Sequence, residues 1–361
     1  MKTYKGLYER IVAFGNLHEA FRKAAKGKSL RADCAEFAYG RERELLRLQE
    51  ELQSGTYRHG PYREFAVRDP KPREVKAARF RDRVVHHALC NVIEPIFEAR
   101  FLPESFACRK GKGTLSALSA CRREVRRLPS GYVLKADVSK FFHTVDHRVL
   151  LDLLGRKIAD EKVMRLCALI LASSEDSRFR TYFPGDDLFA GLRPTGIPIG
   201  NLTSQIFANI YLHELDSFVK TELRLINAEG AYMRYMDDFM LFGPEKSGLW
   251  RAFARVEDFM AERLRLRLHP VKRTVSPVNA GVDWVGYRVF PSEARGSPDR
   301  VRLRRRNIFR FRERCAGLRR RYRAGSIPLE AVRDSVVSFL GYARQAQAGR
   351  LMRQILEMES F

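Results

Sequence analysis

No run of about 18 consecutive apolar residues occurs anywhere in these 361 residues, which removes a membrane-spanning helix from consideration. The N-terminus also lacks an apolar core of signal-peptide length, so the chain is expected to be cytoplasmic and without a membrane partner. Cysteine is sparse, and Cys34, Cys90, Cys108, Cys121, Cys167 and Cys315 include no Cys-x-x-Cys pair. That spacing excludes the common zinc and redox motifs and predicts reduced, mostly buried thiols. There is no internal repeat and no low-complexity tract, hence no solenoid or array. Gly111-Lys112-Gly113-Thr114 is not a P-loop, because Lys112 neither directly precedes Thr114 nor follows a glycine six residues back; it reads as a basic turn touching phosphate or as a plain loop. His86 and His87, adjacent on a helix, point about 100° apart and read as structural. Asn201-Leu202-Thr203 matches a glycosylation acceptor that carries no weight without a secretory signal.

Negative charge is the scarcest commodity. Against 67 Lys and Arg stand 43 Asp and Glu, a formal charge of +24 whose field attracts polyanions, nucleic acid first among them. With 45% hydrophobic residues the chain can bury one large core or two to three smaller ones.

Periodicity predicts helices through 1–60, with Leu45, Leu48 and Leu52 on one face and Ser54-Gly55 as a stop. Residues 61–130 combine the basic turn Asp69-Pro70-Lys71-Pro72-Arg73 with a helix over 82–100. From 131 onward strand and helix alternate: a strand over 132–136, a helix over 147–154 capped by Asp146, and a helix over 204–223. Two apolar runs, 231–235 and 239–242, bracket Met236-Asp237-Asp238 as a hairpin with carboxylates at its tip. A helix over 249–264, a short strand near 265–268 and a turn-rich piece ending Trp284-Val285-Gly286-Tyr287 follow. Beyond about Pro298 the tail is basic, and 302–323 reads as helical, with Arg304, Arg305, Arg306, Arg310, Arg312, Arg319, Arg320 and Arg321 set among Ile308, Phe309, Phe311, Leu318 and Tyr322.

An Asp-Asp pair in a turn is usually solvated. Here the flanks are apolar, and two adjacent acids at the end of buried strands repel unless a cation neutralises them. Asp137 stands at the end of another apolar strand, a hundred residues earlier, followed by Phe141-Phe142. Strand ends that converge with such acids suit hard cations bound through oxygen, as in-line nucleotidyl transfer requires.

Tyr235-Met236-Asp237-Asp238 resembles the signature of the reverse transcriptases. The resemblance continues in order from about residue 61 to 290, through Asp137-Val138-Ser139-Lys140-Phe141-Phe142, the segment from Gly200 to Gln205, Lys272 and Trp284-Val285-Gly286-Tyr287. It implies an α+β right-hand polymerase: an N-terminal helical extension (1–60), fingers (61–130), a palm with an antiparallel sheet, fingers insertions and a primer grip (131–290), and a basic helical thumb (291–361). It implies an RNA-directed DNA polymerase in which Asp137, Val138, Asp237 and Asp238 hold two magnesium ions, with manganese as substitute and Asp137 and Asp237 as the bridging ligands. Lys272 would protonate the leaving pyrophosphate, and Phe142 would exclude a 2′-hydroxyl. Arg73, with Lys71, Arg79 and Arg81 beside it, would meet the triphosphate, and Ile199, Gly200, Gln205 and Tyr235 would complete the substrate site. Template RNA, an RNA–DNA heteroduplex and deoxynucleoside triphosphates are the implied partners.

Ile197-Pro198-Ile199-Gly200-Asn201-Leu202-Thr203-Ser204-Gln205 departs from the commonest family form, which has Gln before the Gly and Ser-Pro later. Its Ile-Gly-x-x-x-Ser-Gln form, with the blocks from Phe80 to His87 and Ala107 to Thr114, is similar to reverse transcriptases of diversity-generating retroelements. Those copy a template-repeat RNA, misincorporate opposite adenines and work with a small basic ring-forming accessory protein. Ile199 in place of an amide would check geometry at the nucleotide less stringently. The rival classes are a retron, abortive-infection or intron-type enzyme and a nonenzymatic nucleic-acid scaffold; with the chain ending at 361, no separate maturase or endonuclease domain is expected.

Overall fold

The computed structural model describes residues 2–68, 72–174, 179, 181–223, 230–292 and 299–358. Lys71 therefore lies outside the described residues, as do Asp69 and Pro70.

Four helices open the chain, α1 (Leu7–Val12), α2 (Phe14–Ala25), α3 (Ala32–Tyr39) and α4 (Arg41–Ser54). The predicted Leu45, Leu48 and Leu52 face of α4 is fully buried, and Gly55 ends the helix at φ 74°. An antiparallel hairpin, β1 (Arg63–Arg68) with β2 (Pro72–Ala77), was not foreseen in the sequence around the basic turn. Helix α5 (Phe80–Glu98) buries Val84, Val85, Ala88, Leu89, Val92 and Ile93 against α2 and the later α10. After α6 (Thr114–Arg127) come β3 (Tyr132–Asp137), α7 (Phe141–Thr144), α8 (His147–Gly155), α9 (Glu161–Ala172), α10 (Leu202–Thr221), β4 (Ala231–Tyr235), β5 (Asp238–Gly243), α11 (Lys246–Leu264) and β6 (Thr274–Pro277). Asp146 caps α8 as expected, accepting from Arg148 N and Val149 N. Asp160 does more: one oxygen accepts from Lys162 N and Val163 N at the start of α9, and the other from Leu7 N and Tyr8 N at the start of α1. A single carboxylate thus satisfies the orphan amides of two helices and fastens the N-terminal helices to the body.

Strands β4-β5-β3-β6 form one antiparallel sheet in that order. Both faces are covered, which is why these strands read as apolar runs. Tyr232, Leu134, Ala136, Phe239 and Leu241 pack toward the helices of the larger core, while Met233, Val133, Met240 and Phe242 join a second core with α6. That second core also takes the inner face of a three-stranded sheet, β7 (Val282–Trp284), β8 (Tyr287–Phe290) and β9 (Arg300–Leu303). Trp284 pairs with Tyr287, leaving Val285 (φ 41°) and Gly286 (φ 94°) as a two-residue turn of the type whose twist suits a hairpin. Buried Asp299 accepts from Arg122 and Arg126 of α6 and so anchors this sheet. Helices α12 (Arg305–Arg323), α13 (Leu329–Ala343) and α14 (Gly349–Met358) complete the chain, with Phe311 and Phe339 stacked at 3.6 Å.

Two expectations need correction. No strand forms at 265–268: Arg265 ends α11 in the left-handed region at φ 50°, and only Leu268 bridges to Val138, too little for a ladder. The tail is not helical from 302, because Arg300–Leu303 is a strand whose Val301 and Leu303 point inward and whose arginines point outward, a period of two read as helical. No helix among the described residues is long and apolar enough to cross a membrane, and all six cysteines are free, with Cys108 alone exposed.

The loop before α10 is stitched to β2. Lys76 N donates to Ile199 O (3.2 Å), Asn201 Nδ2 to Lys76 O (3.1 Å), and Ala78 N to Asn201 Oδ1 (3.3 Å). Gly200 sits between them at φ 113°, where a Cβ would lie 2.8 Å from Val75 Cγ1. Gly200→Ala is expected to cost about 1–3 kcal/mol, from backbone strain and the clash together. Val75→Ala should recover only the clash part, and urea denaturation of the two single variants and the double variant checks this.

Candidate active site

The β4–β5 register pairs Tyr235 with Asp238 and leaves Met236 and Asp237 as a two-residue turn. Met236 adopts φ 59°, an uncommon conformation for a residue with a side chain. On the other side of β5, Asp137 stands directly opposite Asp238. Both project from the sheet face that also carries Lys135 and Met240, so the two acids are cross-strand neighbours. Val138 N donates to Asp237 O (3.2 Å), and His269 N to Asp137 O (2.7 Å), which locks turn and strand end together. The structure thus brings Asp137, Asp237 and Asp238 to one end of one sheet.

A buried ion pair underlies this arrangement. Arg234, fully buried on the helix-facing side of β4, makes a bidentate pair with Asp216 of α10 at 2.7 Å for both bonds. Tyr232 Oη donates to the same carboxylate at 2.6 Å. The remaining guanidinium donors reach Met236 O (3.0 Å), Asn209 Oδ1 (3.3 Å) and Ser105 Oγ (2.9 Å). Arg234 therefore holds the strained turn by its carbonyl. Its main chain also pairs with Glu104 and Phe106, and Arg109 ties that loop together through Glu98, Leu102 O and Ser105 O. Arg234 is absent from the expected site residues, and its available signal is a lone charge within the apolar run 231–235; Arg109 lies in the block from Ala107 to Thr114 with no local mark of this role.

Burial, with Asp137 and then Asp238 nearby, pushes the Asp237 carboxyl up to about 6. Burial and Asp137 also raise Asp238. Lys272 meets this surplus charge with an ion pair from Nζ to Asp137 Oδ2. Its turn is shaped by His269, whose Nδ1 accepts from Val271 N (3.2 Å) and Lys272 N (3.4 Å). Burial pulls the Lys135 ammonium down while Asp238 opposes that shift, and its Nζ donates to Asp283 O at 2.7 Å. Three carboxylates held at one strand end, two of them short of countercharge, fit a hard divalent cation. Val138, buried itself, has only its main-chain carbonyl to add. No three His, Cys, Asp or Glu side chains among the described residues form a ready metal cage. Magnesium needs only one or two protein carboxylates when substrate phosphates supply the rest.

The other expected site residues are spread over several elements. Phe142, Ile197, Pro198, Ile199, Glu74 and Lys76 line one small cavity, and Ile197 N donates to Phe142 O at 2.7 Å. Gly200 and Gln205 lie exposed at the start of α10. Tyr235 Oη is 3.2 Å from Thr114 Oγ1 and packs edge-on to buried Trp284, so the Gly111–Thr114 turn touches the hairpin. Arg73 is exposed on β2 opposite Val67, and Arg81 is ion-paired with Glu51 beside Tyr57. Neither reaches the carboxylates through any hydrogen bond or ion pair among the described residues. His86 is structural: buried, 3.2 Å from His59 Nε2, and driven down to about 3 chiefly by burial.

A family model for reverse transcriptase (RNA-dependent DNA polymerase) matches residues 68–289. Protein YkfC of Escherichia coli (strain K12) is 26% identical over 293 residues, 72% of this chain and 74% of that protein. The group II intron-encoded protein LtrA of Lactococcus lactis subsp. cremoris is 29% identical over 215 residues, which are 58% of this chain and only 33% of LtrA. The solved structure of apo telomerase from Candida tropicalis aligns with a TM-score of 0.47 at 11% identity, covering 64% of this chain and 47% of that one.

Two outcomes follow from this geometry. Arg234→Met, which strands the buried Asp216 charge, is expected to cost about 3–5 kcal/mol in urea denaturation. The raised Asp237 carboxyl binds protons more tightly folded than unfolded, so without divalent metal stability should fall as pH rises from about 4 to about 6. Asp237→Asn should remove that loss and stabilise the metal-free protein at pH 7 by on the order of 1 kcal/mol after solvent screening. Thermal melts across pH, with and without magnesium, check both signs.

Proposed function

We propose, given that this chain belongs to the reverse transcriptase family, that it is an RNA-directed DNA polymerase working at the Asp137, Asp237 and Asp238 edge. Its antiparallel sheets and packed helices are consistent with a right-hand polymerase fold. The observation that carries the reading is the direct cross-strand opposition of Asp137 and Asp238, with Asp237 in the turn beside them. When bound there, two magnesium ions would lower the pKa of the primer 3′-hydroxyl and neutralise charge on the leaving pyrophosphate. The chain's own residues do the rest. Lys272 carries an ammonium beside the reacting phosphates and can give a proton to the pyrophosphate. Phe142 restricts space at the sugar. Arg73, on the hairpin stitched to the Ile199 loop, is the cation offered to the triphosphate.

The finer reading is a diversity-generating retroelement enzyme, error-prone at template adenines and served by a small basic accessory protein. Ile199 supports it, since an apolar side chain lines the cavity shared with Phe142 where an amide could hydrogen-bond. Similarity to LtrA favours a second reading, an intron-type enzyme of which this chain is the polymerase part.

Primer extension on RNA with magnesium tests the activity. Asp237→Ala and Asp238→Ala should each lose about 10³-fold or more, and Lys272→Ala about 10²-fold; full activity in the aspartate variants overturns the assignment. Sequenced products should show errors concentrated opposite adenine, and Ile199→Gln should reduce them. Uniform errors, unchanged in that variant, would favour the intron-type reading.

A further inference from the structure

Two sheets meet beside the carboxylates, and one lysine crosses between them. Alternate residues of a strand leave the same face, so Val133, Lys135 and Asp137 of β3 share the face that packs, through Val133, Met240 and Phe242, into the core beneath the β7–β8–β9 sheet. Lys135 stands opposite Met240 of β5 and Thr274 of β6, one step along the ladder from the Asp137–Asp238 pair. Its Nζ donates to Asp283 O of β7 at 2.7 Å and lies 5.9 Å from the ring centroid of Trp284. Trp284 in turn packs edge-on against Tyr235, the other register partner of Asp238. The Val285-Gly286 turn that follows is held from its far side. Gly286 O accepts from Tyr342 Oη of α13, from Asn307 Nδ2 of α12 at 3.2 Å and from Arg304 N at 3.3 Å. A Cβ on Gly286 would lie 2.6 Å from Tyr342 Oη, so turn and helix are in close contact.

The β7–β8 turn is thus clamped between β3, through Lys135, and the helices α12 and α13, through Gly286. An aliphatic side chain of the same length would also fill the space beside Trp284. What the ammonium adds is a directed bond, which weakens steeply as its geometry departs from ideal and so fixes the turn against the strand. In-line transfer is sensitive to such placement, since a misplacement of about 1 Å can cost about 10²-fold in rate. A strand end presented to cations on Asp137 and Asp238 comes over the face from which those side chains project, and the β7–β8 turn adjoins that face. We propose that Lys135 is a positioning residue for the transfer reaction: it fixes the β7–β8 turn relative to the carboxylate edge and thereby sets where the primer 3′ end lies. It acts through Asp283 and the turn, not on the reacting atoms. The inference rests on the reading of the carboxylate edge as a polymerase site.

The test uses the full chain with an RNA template and an annealed DNA primer. In primer extension, Lys135→Met should lower kcat about tenfold and leave KM for the deoxynucleotide and the half-saturating magnesium concentration within about twofold of wild type. Lys135→Arg, which keeps a donor, should come back to within about threefold of the wild-type kcat. Tyr342→Phe frees the far side of the same turn and should also lower kcat, and the double variant with Lys135→Met should lose no more than the worse single one, because both act on one element. Ferrous iron with ascorbate in place of magnesium reads position without turnover. Radical cleavage should fall on the terminal primer nucleotide in wild type and spread over several nucleotides in Lys135→Met. Should Lys135→Met lower the melting temperature, Tyr342→Phe alone has to give the same spread. A half-saturating magnesium concentration several-fold lower in Lys135→Met means that the lysine acts as a countercharge to Asp238, and overturns the positioning role. Unchanged kcat, multiplicative losses in the double variant, or an unaltered cleavage pattern overturn it as well. Sharp terminal cleavage by wild-type protein that extends no primer would instead overturn the polymerase reading.

Discussion

Arg234 and Asp216 share a carboxylate–guanidinium pair from which water is excluded, and the rest of the site is arranged around that constraint. A buried charge is tolerated only when every polar atom around it is matched. Matching these two recruits Tyr232 and Asn209, the loop through Ser105, and the carbonyl of Met236. The same bonds that neutralise the pair therefore aim the hairpin turn. An apolar pair of similar volume could fill the space, yet it would leave that turn carbonyl without a donor and Met236 free to leave its left-handed conformation.

The carboxylate edge shows the opposite economy. Asp237 and Asp238 are held where their charge is disfavoured, and among the described residues Lys272 and Lys135 offset it. A site finished for stability would have paired every acid within the protein. This one keeps negative charge in reserve at a strand end, within a molecule that is elsewhere strongly positive. The overall field draws a polyanion in, while the local one accepts cations.

Much of this was legible in the residues. The hairpin, the strand ending in Asp137, the Asp146 cap and the leucine face of α4 all follow from period and from turn chemistry, which are local. Partnerships across the chain were not legible. Asn201 falls in a sugar-acceptor match that carries no weight, and nothing local marks it as the buried clamp on β2 that it is. The β1–β2 hairpin hid behind a proline-rich turn whose flanks alternate weakly. Arg300 to Arg302 looked helical because arginine dominates a composition in which both periods are rich in charge. Arg234 could be suspected from its apolar neighbours, but Asp216, eighteen residues earlier on a helix, carries no local mark of its role.

The stitch between β2 and the Ile199 loop has a mechanical meaning. Three hydrogen bonds and a glycine contact join β2 to the wall of the small cavity beside Phe142, so wall and strand form one mechanical piece. A load on that wall is borne by the β1–β2 ladder as well. Such a joint answers to the shape of what presses on it more than to its hydrogen-bonding pattern.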